Sequence, residues 1–553
     1  MASGPASVSG WTVMDLGTPV ESGVGPGLDR GLDRGPGGGT PPPRAWWMGP
    51  LLGVVALAVG LGIAELAVGL VDGAASPVVP VGQEVIDRVP AVVRDWAIST
   101  FGNADKAVLV FGVLIALAVV GVVVGSLAVR GQLAAATAVI CLVGVLGTVA
   151  VLERPAPTLG KLAPTLVGTA VSVAVVWGLM ALATGASSSR VAAEPTIGVD
   201  RRRFLGGAAG VGVLAVAAGG VGRLLQRARD VADERDALAD ALPAPVDPAA
   251  PLPADADLLA GVEGAFPFVT PNDDFYRIDT ALVVPQISAD SWRLRIHGRV
   301  ERELELTFAD LLARPHVERY VTLSCVSNPV GGDLVGTARW QGVLLADVLD
   351  EAGVLPGADQ VVSRSDDGWT AGTPTSVVMD GRDALLAVAM NGEPLPPRHG
   401  YPVRLVVPGL YGYVSATKWV TSIELTGWAD YDAYWVPRGW SKLGPVKTMA
   451  RIDTDRPGPS SGTRIVGGVA WAVHRGISRV EVRVDEGSWE EVTLGGVPSV
   501  DTWVQWRAEI SAPPGRHMVE ARAFDGDGVV QPAEPAPTAP NGAQGYPRRW
   551  IDV

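Results

Sequence analysis

Apolar residues are spread unevenly along this chain. Long, nearly uncharged runs occupy about 46–70, 107–129, 133–152 and 164–184, and a weaker one covers about 204–222. The first contains MGPLLGVVALAVGLGIAELAVGL (Met48–Leu70), whose single acid is Glu65. Each run approaches the roughly 20 residues a helix needs to cross the hydrocarbon core of a bilayer. The expectation is therefore an α-helical membrane bundle of five spans over 46–222. Beyond it the pattern changes. Arg223–Leu242 reads as a charged helix, and Pro243–Ala256 (PAPVDPAAPLPADA) as a stiff Pro/Ala tether, the two making a linker over 223–260. From 261 to 445, short β-type runs (WRLRIHGRV, RYVTLSC, YPVRLVVPG, KWVTSIEL) alternate with short helical pieces such as Thr307–Ala313 and Leu344–Ala352, which predicts an α+β domain. From 446 to 553 the signals are strands only. Val480, Val482 and Val484 alternate with charged residues at the period of a half-buried strand, and the strand spacing predicts an immunoglobulin-like sandwich. Asp453–Thr463 (DTDRPGPSSGT) reads as the linker before it. The first 45 residues, rich in Gly and Pro and carrying the repeat GLDRGLDRG, predict a disordered tail.

Composition then makes sense as an average of two unlike halves. Of 553 residues, 48% are hydrophobic and only 18% charged, below the ~25% of ordinary soluble domains. A net charge of −14 argues against a nucleic-acid partner, which needs a basic face. Arginines concentrate on one side of the spans: Arg30, Arg34, Arg44, Arg130, Arg190 and Arg201–Arg203 against Arg88, Arg94, Lys106, Arg154 and Lys161 on the other. The bias favours a cytoplasmic N-terminus. An odd number of spans then places everything after Gly222 on the extracytoplasmic face of a bacterial membrane. Arg201-Arg202-Arg203-Phe204-Leu205 also fits a twin-arginine export signal, although Asp200 stands where Ser or Thr is usual; a positive clamp on a membrane helix explains the same arginines.

Two cysteines exclude a disulfide-stapled scaffold and a four-cysteine metal site. Cys141 lies within the third span. Cys325 stands alone in the aqueous half, where the strand Arg319–Ser324 enters the turn VSNPVGGD, and reads as a buried small hydrophobe, a nucleophile or a metal ligand. A second cluster, His399-Gly400-Tyr401-Pro402-Val403-Arg404 followed by PGLYGYVSATKW (Pro408–Trp419), offers Arg404, Ser415, Thr417 and Lys418 to a phosphate or other anion. A third, Thr270–Arg277, is a polar-aromatic loop before the first strand.

Together, in this order and spacing, the three segments resemble the sulfite oxidase family of molybdenum enzymes. The match is densest over MNGEPLPPRHGYPVRLVVPGLYGYVSATKWVTSIEL (Met390–Leu425). The resemblance implies a molybdopterin-binding oxidoreductase domain followed by an Ig-like dimerisation domain. It implies that Cys325 is the thiolate ligand of molybdenum and a catalytic residue together with Arg277. It assigns Asn272, Phe275, Tyr276, Arg277, Asp366, His399, Arg404 and Ser415, Ala416, Thr417 and Lys418 to the molybdopterin. This Ser-Ala-Thr-Lys run carries one residue more before the lysine than many relatives have.

Two departures bear on the substrate. Sulfite-oxidising members place an arginine shortly after the cysteine; here Val326-Ser327-Asn328-Pro329-Val330 carries no cation. They also have an Arg-Asn-His run after the aromatic pair, whereas this chain reads Arg277-Ile278-Asp279, and one step along an extended strand sends a side chain to the opposite face. Oxygen-atom transfer on a neutral or weakly charged substrate such as a sulfoxide therefore fits as well as sulfite. The first histidine is His297, so the spans offer no axial ligands for a haem, and a separate electron-transfer partner or diffusible carrier is expected. Two other readings are an inactive binding module of the same fold and a thiol hydrolase using Cys325 with His399.

Overall fold

The computed structural model describes residues 47–71, 76–90, 105–153, 159–184, 201–227, 231–460 and 462–553, with isolated positions between 93 and 101. The expected tail over 1–45 and Asp200 lie outside the described residues, as do the side chains of Arg201–Arg203. The apolar runs form α1 (Met48–Leu70), α3 (Asp105–Val129), α4 (Leu133–Leu152), α5 (Leu159–Thr184) and α6 (Arg201–Arg227). All five contain a stretch long and apolar enough to cross a membrane. Between the first two lies α2 (Val78–Arg88).

Glycine explains how α1 reaches three neighbours at once. Gly49 and Gly53 on α1 face Gly121 and Gly125 on α3, and a Cβ at Gly53 or Gly125 would collide with the opposing backbone. Gly60 meets Gly168 and Ser172 of α5, while Gly62 and Gly69 meet Ala215 and Gly222 of α6. Lipid and leucine are equally apolar, so membrane helices associate through close backbone packing of this small-residue kind. The acid Glu65 sits in the same α1–α6 contact, with Gln226 Nε2 3.4 Å from its carboxylate.

The charged stretch over 223–242 is not one helix. It is divided between the end of α6 and α7 (Ala232–Ala239). The Pro/Ala run after it is docked rather than a free tether. Val246 N–H donates to the His316 carbonyl (2.8 Å), Glu318 N–H to the Asp247 carbonyl (2.9 Å) and Gln341 Nε2 to the Pro243 carbonyl (2.6 Å). Prolines cannot supply a ladder, but the run covers an otherwise open sheet edge.

The α+β domain holds two five-stranded sheets. One has the order β2-β1-β10-β5-β6, formed by β1 (Arg293–Gly298), β2 (Leu304–Thr307), β5 (Gln360–Ser365), β6 (Thr370–Pro374) and β10 (Val420–Thr426). Its β1–β10 pair is parallel and the remaining pairs are antiparallel. The other runs β3-β4-β7-β8, with β9 also paired to β7. Its members are β3 (Val317–Ser324), β4 (Val335–Leu344), β7 (Leu385–Met390), β8 (Glu393–Pro394) and β9 (Arg404–Val406). Every residue of β7 (LLAVAM) is buried, as an inner strand covered on both faces requires.

The C-terminal region is two four-stranded sheets sharing one core. Val466, Val504 and Trp506 from one pack with Val480, Val482 and Ala521 from the other. The stretch read as a linker is part of it: Asp453–Pro457 closes the strand Met449–Pro457, which turns directly into Thr463–Trp471. Trp503 joins this region to the α+β domain, its Nε1–H donating to the Phe268 carbonyl at 2.9 Å.

A leucine at Gly53 should destabilise the bundle by about 2 kcal/mol or more, because the opposing backbone cannot yield. Thermal unfolding of the detergent-solubilised protein checks this, and Gly112→Leu, where nothing lies within 4 Å of an added Cβ, is the neutral comparison.

Candidate active site

Cys325 follows β3 and is 9% exposed. Its N–H donates to the Leu334 carbonyl (2.9 Å), and Asn328 closes the loop by donating its N–H to the Cys325 carbonyl and accepting Leu334 N–H at 3.0 Å. The thiol faces a cavity with about 850 Å³ of free space, part of it open to solvent. Burial pushes the thiol pKa up, against a weak Ser327 N–H contact at 3.4 Å and the nearby Lys418 ammonium. A protonated, buried thiol is a poor nucleophile, and a coordinated metal is what deprotonates it. His399, the base a hydrolase would need, is not in the cavity wall. Its pKa is pushed down to about 3 by burial and by Arg404 and Lys418, and its Nε2 lies 2.9 Å from the Asn272 carbonyl. The thiol-hydrolase reading is therefore set aside.

The other expected residues divide into two groups. Tyr276, Arg404, Ala416 and Lys418 line the cavity with Cys325. Phe275 is buried behind Tyr276, stacked on it at 5.2 Å and edge-on to Trp340 and His399, so it wedges the tyrosine into the wall. Asn272 lies behind this layer, accepting from Asn391 Nδ2 at 2.9 Å. Ser415 and Thr417 do not face the cavity. The Ser415 hydroxyl turns back to the Leu410 and Tyr411 carbonyls, and that of Thr417 pairs with Ser363 at 2.6 Å. Asp366 is exposed, and its neighbours Ser365 and Asp367 form the wall instead. Arg277 also points away from the cavity, 36% exposed, with its Nε 2.8 Å from Asp279.

Asp279 is the residue that sequence reasoning passed over. Its Oδ2 accepts from Lys418 Nζ at 2.9 Å and its Oδ1 from Lys106 Nζ at 2.8 Å. Burial opposes ionisation of its carboxyl, but Lys418, Arg277 and Lys106 outweigh that and hold it well below the usual carboxylate range. Lys418 is 7% exposed, and its pKa is lowered to about 8 by burial and Arg404 despite Asp279. Arg404 is 4% exposed and lowered to about 10 by burial; its Nη1 donates to the His399 carbonyl at 3.2 Å. Gly400 is required here: at φ +115° it brings its backbone against Lys418, where an added Cβ would sit 3.1 Å from the lysine Cα. Aromatic rings complete the wall, namely Trp369, Tyr413, Trp419, Trp435 and Trp440. They were legible only as scattered aromatics, because three separate loops bring them together.

Comparison with known proteins follows this geometry. A family model described as the oxidoreductase molybdopterin binding domain matches residues 281–435. Sulfite oxidase of Gallus gallus is 31% identical over 320 residues, covering 49% of this chain and 69% of that protein. The chain belongs to the sulfite oxidase family. It is a molybdopterin-dependent oxidoreductase. Mitochondrial sulfite oxidase of Homo sapiens is 29% identical, and the chain spans only 58% of its length. The oxidoreductase YuiH of Bacillus subtilis is 36% identical over 164 residues, covering 30% of this chain and 79% of YuiH. Among solved structures, the sulfane dehydrogenase SoxCD of Paracoccus pantotrophus is 26% identical with a TM-score of 0.45, over 53% of this chain and 82% of that one.

The cavity fits the family's cofactor. Two buried polar atoms of residues in its wall have no hydrogen-bond partner: Arg404 Nε and Ser365 Oγ. Orphaned buried groups of this kind are costly unless a ligand satisfies them. Among the described residues no three His, Cys, Asp or Glu side chains converge on a metal position. A metal at Cys325 must therefore bring donors of its own, as molybdopterin does with its sulfurs.

The Lys418 ammonium is present below about pH 8 and lost above it. The rate at limiting substrate should accordingly fall with a midpoint near pH 8. In Lys418→Arg that limb should move up by more than about one pH unit, since guanidinium stays charged; a pH profile of kcat/KM checks both.

Proposed function

We propose that this protein is a membrane-anchored oxidoreductase that transfers an oxygen atom to or from a neutral or weakly charged organic substrate, such as a sulfoxide, on the extracytoplasmic side. The observation that carries this reading is the pairing of the Lys418 ammonium. Lys418 is already neutralised by Asp279, Arg277 is turned away, and Asp367 adds a second carboxylate to the wall. A dianion entering there finds Lys418 already paired to a carboxylate and a second carboxylate beside it, while the indole and phenol rings suit an apolar body.

The bound molybdenum cofactor supplies two-electron oxygen-atom exchange. Cys325 would hold the metal, and Arg404 and Ser365 would bind the pterin and its phosphate. Lys418 Nζ and the Tyr276 hydroxyl remain as donors for the substrate oxygen. Burial and the neighbouring Cys325 raise the Tyr276 pKa, so its proton is kept across the physiological range. Donors fixed in place by the fold stabilise charge building on that oxygen without reorganising. Electrons pass to or from a separate carrier, as expected of a chain with no paired histidines in its spans. The five apolar helices support anchoring in lipid, and the paired C-terminal sheets support an Ig-like domain through which two copies associate. One observation favours sulfite instead: Arg404 and Lys418 are two buried cations in one cavity.

Purified protein should carry about one molybdenum per chain, lost or spectrally altered in Cys325→Ser with the fold intact. Its kcat/KM for a small alkyl aryl sulfoxide, with an artificial electron donor, should exceed that for sulfite oxidation by about 100-fold, ~2.7 kcal/mol. Asp279→Asn, which removes a carboxylate that an entering anion would face, should narrow that ratio. A preference for sulfite in the unsubstituted protein refutes the substrate assignment.

A further inference from the structure

The membrane bundle touches the catalytic domain at the wall of the cavity itself. Lys106 stands at the head of α3, and its ammonium makes three contacts with one loop. It donates to Asp279 Oδ1 (2.8 Å), to the Asp279 carbonyl (3.0 Å) and to the Ala281 carbonyl (2.8 Å). Its side chain is 30% exposed, while that of Asp279 is 7% exposed. A second contact lies alongside. Asp87 of α2 binds the Tyr434 hydroxyl and Arg438 Nη2, the latter at 3.1 Å. Gln83, Ile86 and Asp87 of α2 line a smaller cleft together with Thr280, Asp367 and Trp369, three residues that also line the Cys325 cavity. The rim of the site is therefore built jointly by the catalytic domain and by elements between the first two membrane helices.

We propose that Lys106 is a positioning residue for the catalytic site, acting through Asp279 on Lys418. The carboxylate of Asp279 has two oxygens and three cationic neighbours. Lys106 occupies Oδ1 and, through the two carbonyls, fixes the backbone that carries the carboxylate. Oδ2 is then held toward Lys418 Nζ, which also donates to the Arg398 carbonyl at 3.1 Å. Without Lys106 the loop 279–281 loses its anchor to α3; Arg277 still holds both oxygens of Asp279 (Nε–Oδ2 2.8 Å, Nη2–Oδ1 3.3 Å), so the carboxylate shifts with the loop and the Lys418 ammonium it aims shifts with it. A displacement of about 1 Å at such a group can cost up to about 100-fold in rate. The membrane helices thereby act as part of the active site and not only as an anchor. The inference rests on reading the cavity as the catalytic site, which the family assignment supports, and is independent of which substrate is used.

The test uses the full-length, detergent-solubilised protein with Lys106→Met, Lys106→Arg, Asp279→Asn and the Lys106→Met/Asp279→Asn pair. Backbone hydrogen exchange over 275–283 should rise about 10-fold or more in Lys106→Met and return toward the unsubstituted rate in Lys106→Arg. Exchange in β3 and β4 and molybdenum content should stay unchanged. With any substrate that turns over, Lys106→Met should lower kcat by about 10-fold with KM altered less than about twofold, and should add less than about twofold in the Asp279→Asn background. Unchanged exchange over 275–283 overturns the proposal, as does a full, additive effect in the Asp279→Asn background. Exchange that rises equally across the whole domain, without recovery in Lys106→Arg, also overturns it by making Lys106 a general structural contact. The exchange arm needs no turnover, so failure on sulfoxide and sulfite leaves it decisive.

Discussion

The site depends on one constraint: a charge taken out of water must find a partner. Asp279 and Lys418, each under a tenth exposed, form an ion pair in the wall of the cavity. Removing either partner would leave an uncompensated buried charge, which costs far more than the pair itself contributes. The pair commits the rest of the wall. Arg277 and Lys106, the latter at the head of α3, also donate to Asp279, and Arg404 remains the buried cation with an unsatisfied nitrogen. The electrostatic character of the cavity follows from which cations are paired there, Lys418 with Asp279, and which is not, Arg404.

A second constraint acts in the bundle. In lipid there is little hydrophobic gain from bringing helices together, so contact must come from close backbone approach. The glycines of α1 supply it toward α3, α5 and α6. This makes α1 the central helix and sets where the ends of its neighbours fall. The head of α3 consequently lies at the edge of the catalytic domain, within reach of Asp279. Small residues inside the helix bundle thus pack the helix whose head carries the ammonium group beside the site.

Much of this was legible in the chain. The five apolar runs correspond to the five long helices, because hydrophobic length is a local property. Cys325 stood out because it is the lone thiol outside the spans, and Tyr276, Arg404 and Lys418 because they sit in motif-dense segments. Reading was weaker where direction mattered. Ser415 and Thr417 share a segment with Lys418, yet one hydroxyl turns back to the Leu410 and Tyr411 carbonyls and the other bonds Ser363 of β5. Asp366 was chosen where Ser365 and Asp367 form the wall. The Pro/Ala run looked like a tether, because nothing local announces that an open sheet edge elsewhere will bind it.

The sequence by itself determined the division into an apolar and a soluble half, the family, and the thiol at its centre. These are written in local composition and in contiguous motifs. Only the tertiary structure decided which side chains share the cavity and with what charge. Asp279 meets Lys418 across 139 positions and Lys106 across 173. No local pattern encodes such meetings: they follow from where two sheets, a loop and a membrane helix come to rest, and from the requirement that buried charges be matched there.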